Sequence, residues 1–513
     1  MTQEPKPRCR SMDGEMLALA AIIGVLVAFN LLTATWFPQP WLDEMAYADP
    51  AIRFVLGKGF TSAAWPSQGS DAFWASNCPL HEILLIPWLK AFGINLVAVR
   101  ALNVVLCAAS IVFIWAATKR DGWVLGAGWR LFMCFMLVTG CAMTDVVRRG
   151  RPDGVTVIVA AALALQFART RNSIGRSNWN WGPFLTAAAA PWAGLQLVVG
   201  IGAVCAFSAI VDRRNSWRYI AGVAGGVAAG FVLLLLFYGI HGQTITFLER
   251  TMGSAHTVTG KIAQYSVIHD ELAREKLAAY LLESLLIFRA WIVDPSYVCV
   301  MLGILGCAIG CRIKSALDAR SFVRFGLLAG LGTPVVVMLA GKYPPYYAWM
   351  GFSLAVVCTV AVACRLWVAC GRATRFAIMA PLVAACLVGA PRLFAEAMLG
   401  GVVNYGQIER FVRGNVAPAD RAFVEGAAYF ATTSYAAETY CLDYGGGRGF
   451  KEIPQQQRDS VTVLILAPRS LEVALRKLGG RWKAMARLPV PATPYDDERE
   501  LTVYRRDSAS AAQ

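Results

Sequence analysis

The chain reads as an α-helical, polytopic membrane protein with a small extracytoplasmic α/β domain at its C-terminal end. Three observations carry that reading. Of 513 residues, 57% are hydrophobic and 16% charged, with a mean hydropathy of +0.50; soluble domains carry roughly 25% charged residues. About eleven apolar runs fill residues 1–399, most of them near the length a bilayer demands. From residue 400 to 513 these give way to short stretches of strand and helix character.

The first run, 16 to 36, is about as long as a spanning helix of roughly 20 residues. No small-residue cleavage site precedes the acidic residues after it, so it reads as a retained helix. Further spans fall near 97 to 118, 124 to 141, 153 to 168, 182 to 194, 195 to 211, 219 to 240, 296 to 311, 325 to 341, 346 to 364 and 376 to 396. The fifth and sixth are short and interrupted by Pro191. Broken helices of that kind occur where backbone lines a protein-buried cavity rather than lipid.

A net charge of +15 would suggest nucleic acid in a soluble protein. Here the basic residues stand in short clusters between apolar runs, where they set topology, and no nucleic-acid partner is expected. With Lys6, Arg8 and Arg10 cytoplasmic, the inner loops receive Lys119 and Arg120, then Arg169, Arg171 and Arg176, then Arg213, Arg214 and Arg218. Arg312, Lys314, Arg320 and Arg324 follow, and lastly Arg365, Arg372 and Arg375. The outer face then receives residues 37 to 96, 142 to 152, 241 to 295, the turn 342 to 345 and everything after about 397. Arg148, Arg149 and Arg151 break the pattern by falling outside, close to Asp145 and Asp153. They either pair with those aspartates or lipid headgroups, or bind phosphate. All four histidines, His81, His241, His256 and His269, map to the same side.

The first outer loop, 37–96, has structure of its own. Residues 44 to 56 read as an amphipathic interfacial helix with Ala48, Ile52, Val55 and Leu56 on one side, ended by Gly57 to Gly59; a second helix follows Pro79. In the loop 241 to 295, Leu277, Leu281, Leu285 and Phe288 recur at helical spacing before Asp294-Pro295. In the C-terminal domain, Ala427 to Thr432 and Val461 to Ala467 read as strands, Ser470 to Leu478 as a helix and Glu500 to Tyr504 as an edge strand. Gly445-Gly446-Gly447 has no following helix and reads as a turn. Most of the 14 cysteines lie singly in apolar runs as small apolar residues; Cys78 and Cys441 alone look placed for a disulfide.

The chemistry centres on Trp41-Leu-Asp-Glu-Met-Ala-Tyr47. Two carboxylates at the water-facing mouth of a membrane helix are a functional-site candidate. Partial burial there raises a carboxylate's pKa toward that of a useful general base, a role that suits Asp43. In the other reading Asp43 caps the interfacial helix and Glu44 complements its dipole. Both stand at this point.

The N-terminal helix, Asp43, Glu44 and Tyr47, then Pro79-Leu80-His81-Glu82, Lys90-Ala-Phe-Gly93 and Arg100 together resemble the polyprenyl-phosphate-sugar-dependent GT-C glycosyltransferases, with a pattern like that of protein O-mannosyltransferases and lipid A aminoarabinose transferases. Arg151-Pro-Asp153 opening the fourth span is a second likeness, and Lys342-Tyr343-Pro-Pro-Tyr346-Tyr347 a looser third. The layout match covers residues 16 to 400, the motif match the first 170. Where many relatives carry His-Pro-Pro or Lys-Pro-Pro, this chain reads Asn77-Cys-Pro-Leu-His-Glu82.

The resemblance implies a GT-C fold in the bacterial inner membrane. It implies transfer of a hexose or pentose from a polyprenyl-phosphate donor to a lipid, glycan or protein acceptor on the extracytoplasmic face, typically with inversion. Asp43 would be the base, with Glu44 and Asp153 in the same site. Lys342, Arg148, Arg149 and Arg151 would be the candidates for the donor phosphate, whose departing charge needs compensation. Tyr47, His81, Glu82, Tyr343 and Tyr346 would line the substrate. No cofactor is required; some relatives hold a divalent metal, for which His81, Glu82 and His256 are the available ligands. A transporter should instead show an internal repeat and polar residues at mid-membrane, and neither is visible. A membrane scaffold would need no acidic pair at all.

Overall fold

The computed structural model of the chain describes residues 10–36, 38, 40, 42–65, 69–171, 181–211, 216–252, 294–313, 317–333, 347–400, 405–441, 455–490 and 499–507. The first helix, α1, runs Arg10–Leu32. Two shorter helices follow in the first loop, α2 (Leu42–Val55) and α3 (Pro79–Phe92). Gly57 and Gly59, both at φ 77°, turn the chain after α2. Pro79 starts α3, where its missing N–H costs nothing. Next come α4 (Leu96–Arg120), α5 (Ala127–Thr139), α6 (Cys141–Arg148) and α7 (Asp153–Arg171). Asn95 caps α4 by accepting the Ala98 amide at 2.8 Å, an interaction worth about 1 kcal/mol.

The remaining helices of the bundle are α8 (Trp181–Ala188), α9 (Ala190–Ala193), α10 (Leu197–Val211), α11 (Ser216–Ile240), α12 (Thr244–Met252), α13 (Pro295–Ile313), α14 (Leu317–Leu327), α15 (Ala348–Ala369) and α16 (Arg372–Gly400). Among the described residues seven helices are long and apolar enough to cross a membrane, and α5 with α6 makes an eighth span if that pair, bent by 66°, is one. The chain is thus a multi-pass membrane protein.

The span expected over 124 to 141 ends early. Gly140 leaves the helix in an extended conformation, and Phe352 of α15 packs so close that a Cβ there would lie 2.3 Å from its ring. The spans expected over 182 to 194 and 195 to 211 are three short helices, with Pro191 in the first turn of α9. Of the span expected over 325 to 341, the described part is the end of α14 and a π-turn at Leu328–Gly332. The helical spacing at 277 to 288, with His256 and His269, lies outside the described residues, as does Gly445 to Gly447.

The C-terminal domain begins with α17 (Tyr405–Asn415) and holds a five-stranded sheet of β1 (Arg421–Val424), β2 (Glu438–Cys441), β3 (Val463–Leu466), β4 (Trp482–Val490) and β5 (Arg499–Arg506). Their order is β2-β1-β3-β5-β4, parallel across the first three and antiparallel across the rest. Two expectations are corrected here. β5 is interior, because the strand at Trp482–Val490 covers its outer side. Ala427 to Thr432 is no strand: a 3-10 turn at Gly426–Ala428 runs into α18 (Tyr429–Thr433), which buries Tyr429 and Phe430. Two helices complete the domain, α19 (Gln455–Asp459) and α20 (Pro468–Leu478).

The helical bundle has one large apolar core. A second core joins the loop helices to the C-terminal domain: Met45, Ala48 and Ile52 of α2 pack with Leu85 and Leu89 of α3, Val99 of α4, and Ile408, Val412 and Tyr429. The apolar side of α2 is therefore covered by protein. Cys78 and Cys441 are not bridged to each other, so the expected disulfide is absent; Cys441 Sγ lies 3.7 Å from Met45 Sδ instead.

Candidate active site

Successive residues of a helix point about 100° apart, and in the first turn of α2 this separates two neighbouring carboxylates. Glu44 turns inward and is fully buried. Its Oε1 and Oε2 accept Arg100 Nε at 2.9 Å and Nη2 at 2.8 Å, and Oε1 also takes the Gly150 amide at 2.6 Å. Arg100 Nη1 donates to the Ala34 carbonyl just past α1 at 2.5 Å, so each charge has hydrogen-bonded company, the condition for burying an ion pair.

Asp43 turns outward, its side chain 36% exposed. Its Oδ2 is 3.4 Å from Arg151 Nη1, while Arg151 Nε is 3.1 Å from Oδ2 of Asp153, whose side chain is 4% exposed. One buried guanidinium thus joins the two carboxylates. Burial opposes the Arg151 charge, but Asp153 and then Asp43 more than offset this and hold it above the ordinary arginine value. Tyr47, one turn along α2, meets Trp65 edge to face at 5.1 Å. Burial raises its hydroxyl pKa, reinforced by Cys78, Asp43 and Tyr347 and opposed by Arg151. Tyr347, at the mouth of α15, is raised first by burial and sits in the field of Arg151, Asp153, Cys78 and Asp43.

The loop carrying Arg151 is held from two helices, α2 and α4. Besides the Gly150 amide bound to Glu44, Asn103 of α4 donates its amide to the carbonyls of Arg149 at 2.5 Å and Arg151 at 2.6 Å. Two glycines let the loop come this close. A Cβ on Gly150 would lie 2.4 Å from Val99 Cγ1, and one on Gly154 2.4 Å from Asn103 Oδ1.

The other expected residues distribute as follows. Arg148 reaches the end of α1, Nη1 donating to Asn30 Oδ1 at 3.2 Å and Thr33 Oγ1 at 3.0 Å, and Nη2 to the Thr33 carbonyl at 3.0 Å. A cation there complements the helix dipole. Arg149 is half-buried where α6 ends. His81 and Glu82, in the first turn of α3, are fully buried. Neither ring nitrogen and neither carboxyl oxygen has a well-formed hydrogen bond among the described residues. Burial pushes the imidazole down to about 4, against a pull from the Gly150 carbonyl, and pushes the Glu82 carboxyl well above the usual range. Among the described residues no three His, Cys, Asp or Glu side chains gather as a group able to hold a metal; His256, Lys342, Tyr343 and Tyr346 lie outside them. Sequence reasoning passed over Asn103, and it named Tyr347 in the turn at 342–347 without placing it among the substrate-lining residues, where it put Tyr343 and Tyr346. Asn103 carries one signal, its place three residues after Arg100 on the same face of a helix.

An apolar cavity opens inside the bundle between α4, α7, α10, α14 and α15, lined among others by Ile114, Val157, Phe167, Val204, Phe325 and Met350. Val157 is one helical turn into the bundle from Asp153, and Met350 three residues in from Tyr347, so the charged cluster stands just beyond one end of it.

No protein-family model and no curated protein matches the chain. Solved structures do. ArnT from Cupriavidus metallidurans, bound to undecaprenyl phosphate, superposes with a TM-score of 0.57 at 12% identity over 98% of this chain and 100% of that one. The Archaeoglobus fulgidus oligosaccharyltransferase, in complex with Zn and sulfate, gives 0.50 at 10% identity over 95% of this chain and 72% of that one. At these identities the likeness is one of fold, and the fold is that of the GT-C glycosyltransferases.

Proposed function

We propose that the chain is a bacterial inner-membrane glycosyltransferase that moves a hexose or pentose from a polyprenyl-phosphate donor to a lipid, glycan or protein acceptor on the extracytoplasmic face. The observation that carries the reading is the joining of Asp43, Arg151 and Asp153 just beyond one end of an apolar cavity inside the bundle. An isoprenoid tail lying in that cavity would bring a phosphate-linked sugar to the cluster. The basic clusters between spans support a cytoplasmic N-terminus and an outer C-terminal domain.

Asp43 is the base because it is the exposed member of the cluster. Its carboxylate takes the proton of the acceptor hydroxyl as that oxygen bonds to the anomeric carbon from the face opposite the leaving group. The bond from that carbon to the phosphate oxygen breaks, and polyprenyl phosphate departs as an anion. Arg151 fixes Asp43, and Asp153 holds Arg151 from the other side. One guanidinium against two carboxylates leaves the trio net negative, so the departing phosphate needs further cations; Lys342 and Arg149 are the candidates. Tyr47 and Tyr347 offer hydroxyls to the sugar. No cofactor is needed in this reading, and for Glu82 to serve a divalent metal it would have to be ionised, which burial opposes. The test is sugar transfer from polyprenyl-phosphate-linked mannose and aminoarabinose in proteoliposomes. Full activity in both Asp43→Ala and Asp153→Ala would overturn the site assignment, and no transfer or donor turnover by the unaltered protein would overturn the function.

A further inference from the structure

We infer that Asn103 is a positioning residue of this site: it sets Asp43 through the loop that carries Arg151, with Glu44 and Arg100 closing the other side of the same clamp. The inference rests on the glycosyltransferase reading above.

The loop from Arg149 to Pro152 is only four residues long, yet three of its main-chain groups are taken by buried side chains from other helices. The carbonyls flanking Gly150 accept the Asn103 amide at 2.5 and 2.6 Å, and the Gly150 amide goes to Glu44 at 2.6 Å. Pro152 has no amide to place. Asn103 is fully buried and sits three residues from Arg100, so one face of α4 grips both partners. Arg100 fixes Glu44, the residue next to Asp43; Asn103 fixes the peptides on either side of Gly150, the residue next to Arg151. The ion pair between Asp43 and Arg151 is therefore set from behind on both sides. An amide is the side chain for this task, since its NH2 presents two donors in one plane. A hydroxyl has one, and a carboxylate would face two carbonyls with none.

Asn103 reaches neither the open side of Asp43 nor the cavity, so its loss should move the chemical step and not the hold on the lipid. Leucine at 103 keeps the volume and removes both donors. A catalytic group displaced by about 1 Å loses on the order of 100-fold in rate, so Asn103→Leu is expected to lower kcat by about that factor. Affinity for undecaprenyl phosphate, measured by its effect on thermal unfolding in detergent, should stay within about twofold of the unaltered protein. In the background of Asp43→Asn, Asn103→Leu should cost almost nothing more, because residues acting as one unit are non-additive.

Asn103→Asp guards against simple misfolding. The charged groups around position 103 are Glu44, Arg100, Arg149, Arg151 and Asp153, but the new carboxyl itself faces the two carbonyl oxygens of Arg149 and Arg151, which favour its protonated form as the donor of one hydrogen. The variant's activity should fall as pH rises while the unaltered protein's does not. The positioning role is overturned if Asn103→Leu retains full kcat, if it weakens undecaprenyl phosphate binding as much as kcat, or if its effect adds in full to that of Asp43→Asn. It is overturned as well if Asn103→Asp, folded, shows no pH dependence of its own. If the unaltered protein neither binds undecaprenyl phosphate nor turns over a linked sugar, the glycosyltransferase reading itself has failed, and this inference with it.

Discussion

Asp43 and Glu44 are neighbours of like charge on one turn of α2, and they live in opposite environments. Glu44 is sealed, its two oxygens taken up by Arg100 and the Gly150 amide. Asp43 keeps about a third of its side chain open and meets Arg151 at the looser distance of 3.4 Å. Both arginines are buried, so the supply of positive charge does not make the difference. The difference is in what remains unoccupied: Glu44 has its bonding capacity committed to protein, whereas Asp43 retains a lone-pair face for a substrate. A sealed ion pair holds a structure together, and an open one can do chemistry. The acidic dipeptide is one scaffold group and one working group.

That division is broken most sharply by exchanging the expected phenotypes. Asp43→Asn should abolish most sugar transfer, by about 100- to 10,000-fold if the residue is the general base, while leaving thermal unfolding in detergent within a degree or two of the unaltered protein. Glu44→Ala should do the reverse first. It strands the buried Arg100 charge, which costs about 3–5 kcal/mol, read as a lowered unfolding temperature or loss of folded protein on expression. A stable Glu44→Ala variant with unaltered unfolding would show that the pair is not the anchor described here.

The same pair marks how far a sequence carries. Composition and run length are local, and they gave the membrane bundle, the loop helices at 44 to 56 and after Pro79, and the strand at 461 to 467. The break at Gly140 was not local, since it depends on Phe352 more than two hundred residues away packing where a Cβ would stand. Nor could the edge strand expected at 500 to 504 be placed, because a strand's neighbour on each side is a property of the sheet. At the site, Asp43 and Asp153 were legible as charges in awkward places, but spacing alone left open whether Asp43 worked or capped. That Glu44 belongs to Arg100 and that Asn103 holds the Arg151 loop are facts of tertiary contact. They surface only when α4 is laid against α2 and α7.

Between the sealed and the open carboxylate stands a third case, groups that are buried and neutral. His81 titrates near 4 when folded and near its ordinary 6.5 when unfolded. Between those values the unfolded chain binds more protons, so stability rises with pH across the window and is lost as pH falls from 6.5 to 4. A shift of that size corresponds to about 3 kcal/mol. Glu82 works with the opposite sign, since its raised pKa makes folding less favourable as pH climbs above the usual carboxylate range. Unfolding temperatures of His81→Gln and the unaltered protein, followed from pH 7 to pH 4, should diverge, the unaltered protein losing more on the acid side. Parallel curves would mean that the imidazole is protonated inside the fold.

The smallest effect is expected at the far end of α2, where Asp49 repeats the sealed pattern without a salt bridge. Its Oδ2 accepts Ser62 Oγ at 2.7 Å and the amides of Ala63 and Ala64 at 2.6 and 3.0 Å, and its Oδ1 accepts the Tyr429 hydroxyl from the C-terminal domain. Arg53, one turn on, reaches Glu438 of β2 at 2.5 Å. The helix that presents Asp43 at one end is thus pinned to the C-terminal domain at the other. Tyr429→Phe removes one hydrogen bond of four and leaves the ring in place, so it should cost about 1–3 kcal/mol in unfolding. If the domain only shelters α2, transfer should fall no more than stability does. If it sets the register of α2, kcat should drop while the affinity for undecaprenyl phosphate holds, and the sealed half of the helix would then be shown to tune the open one.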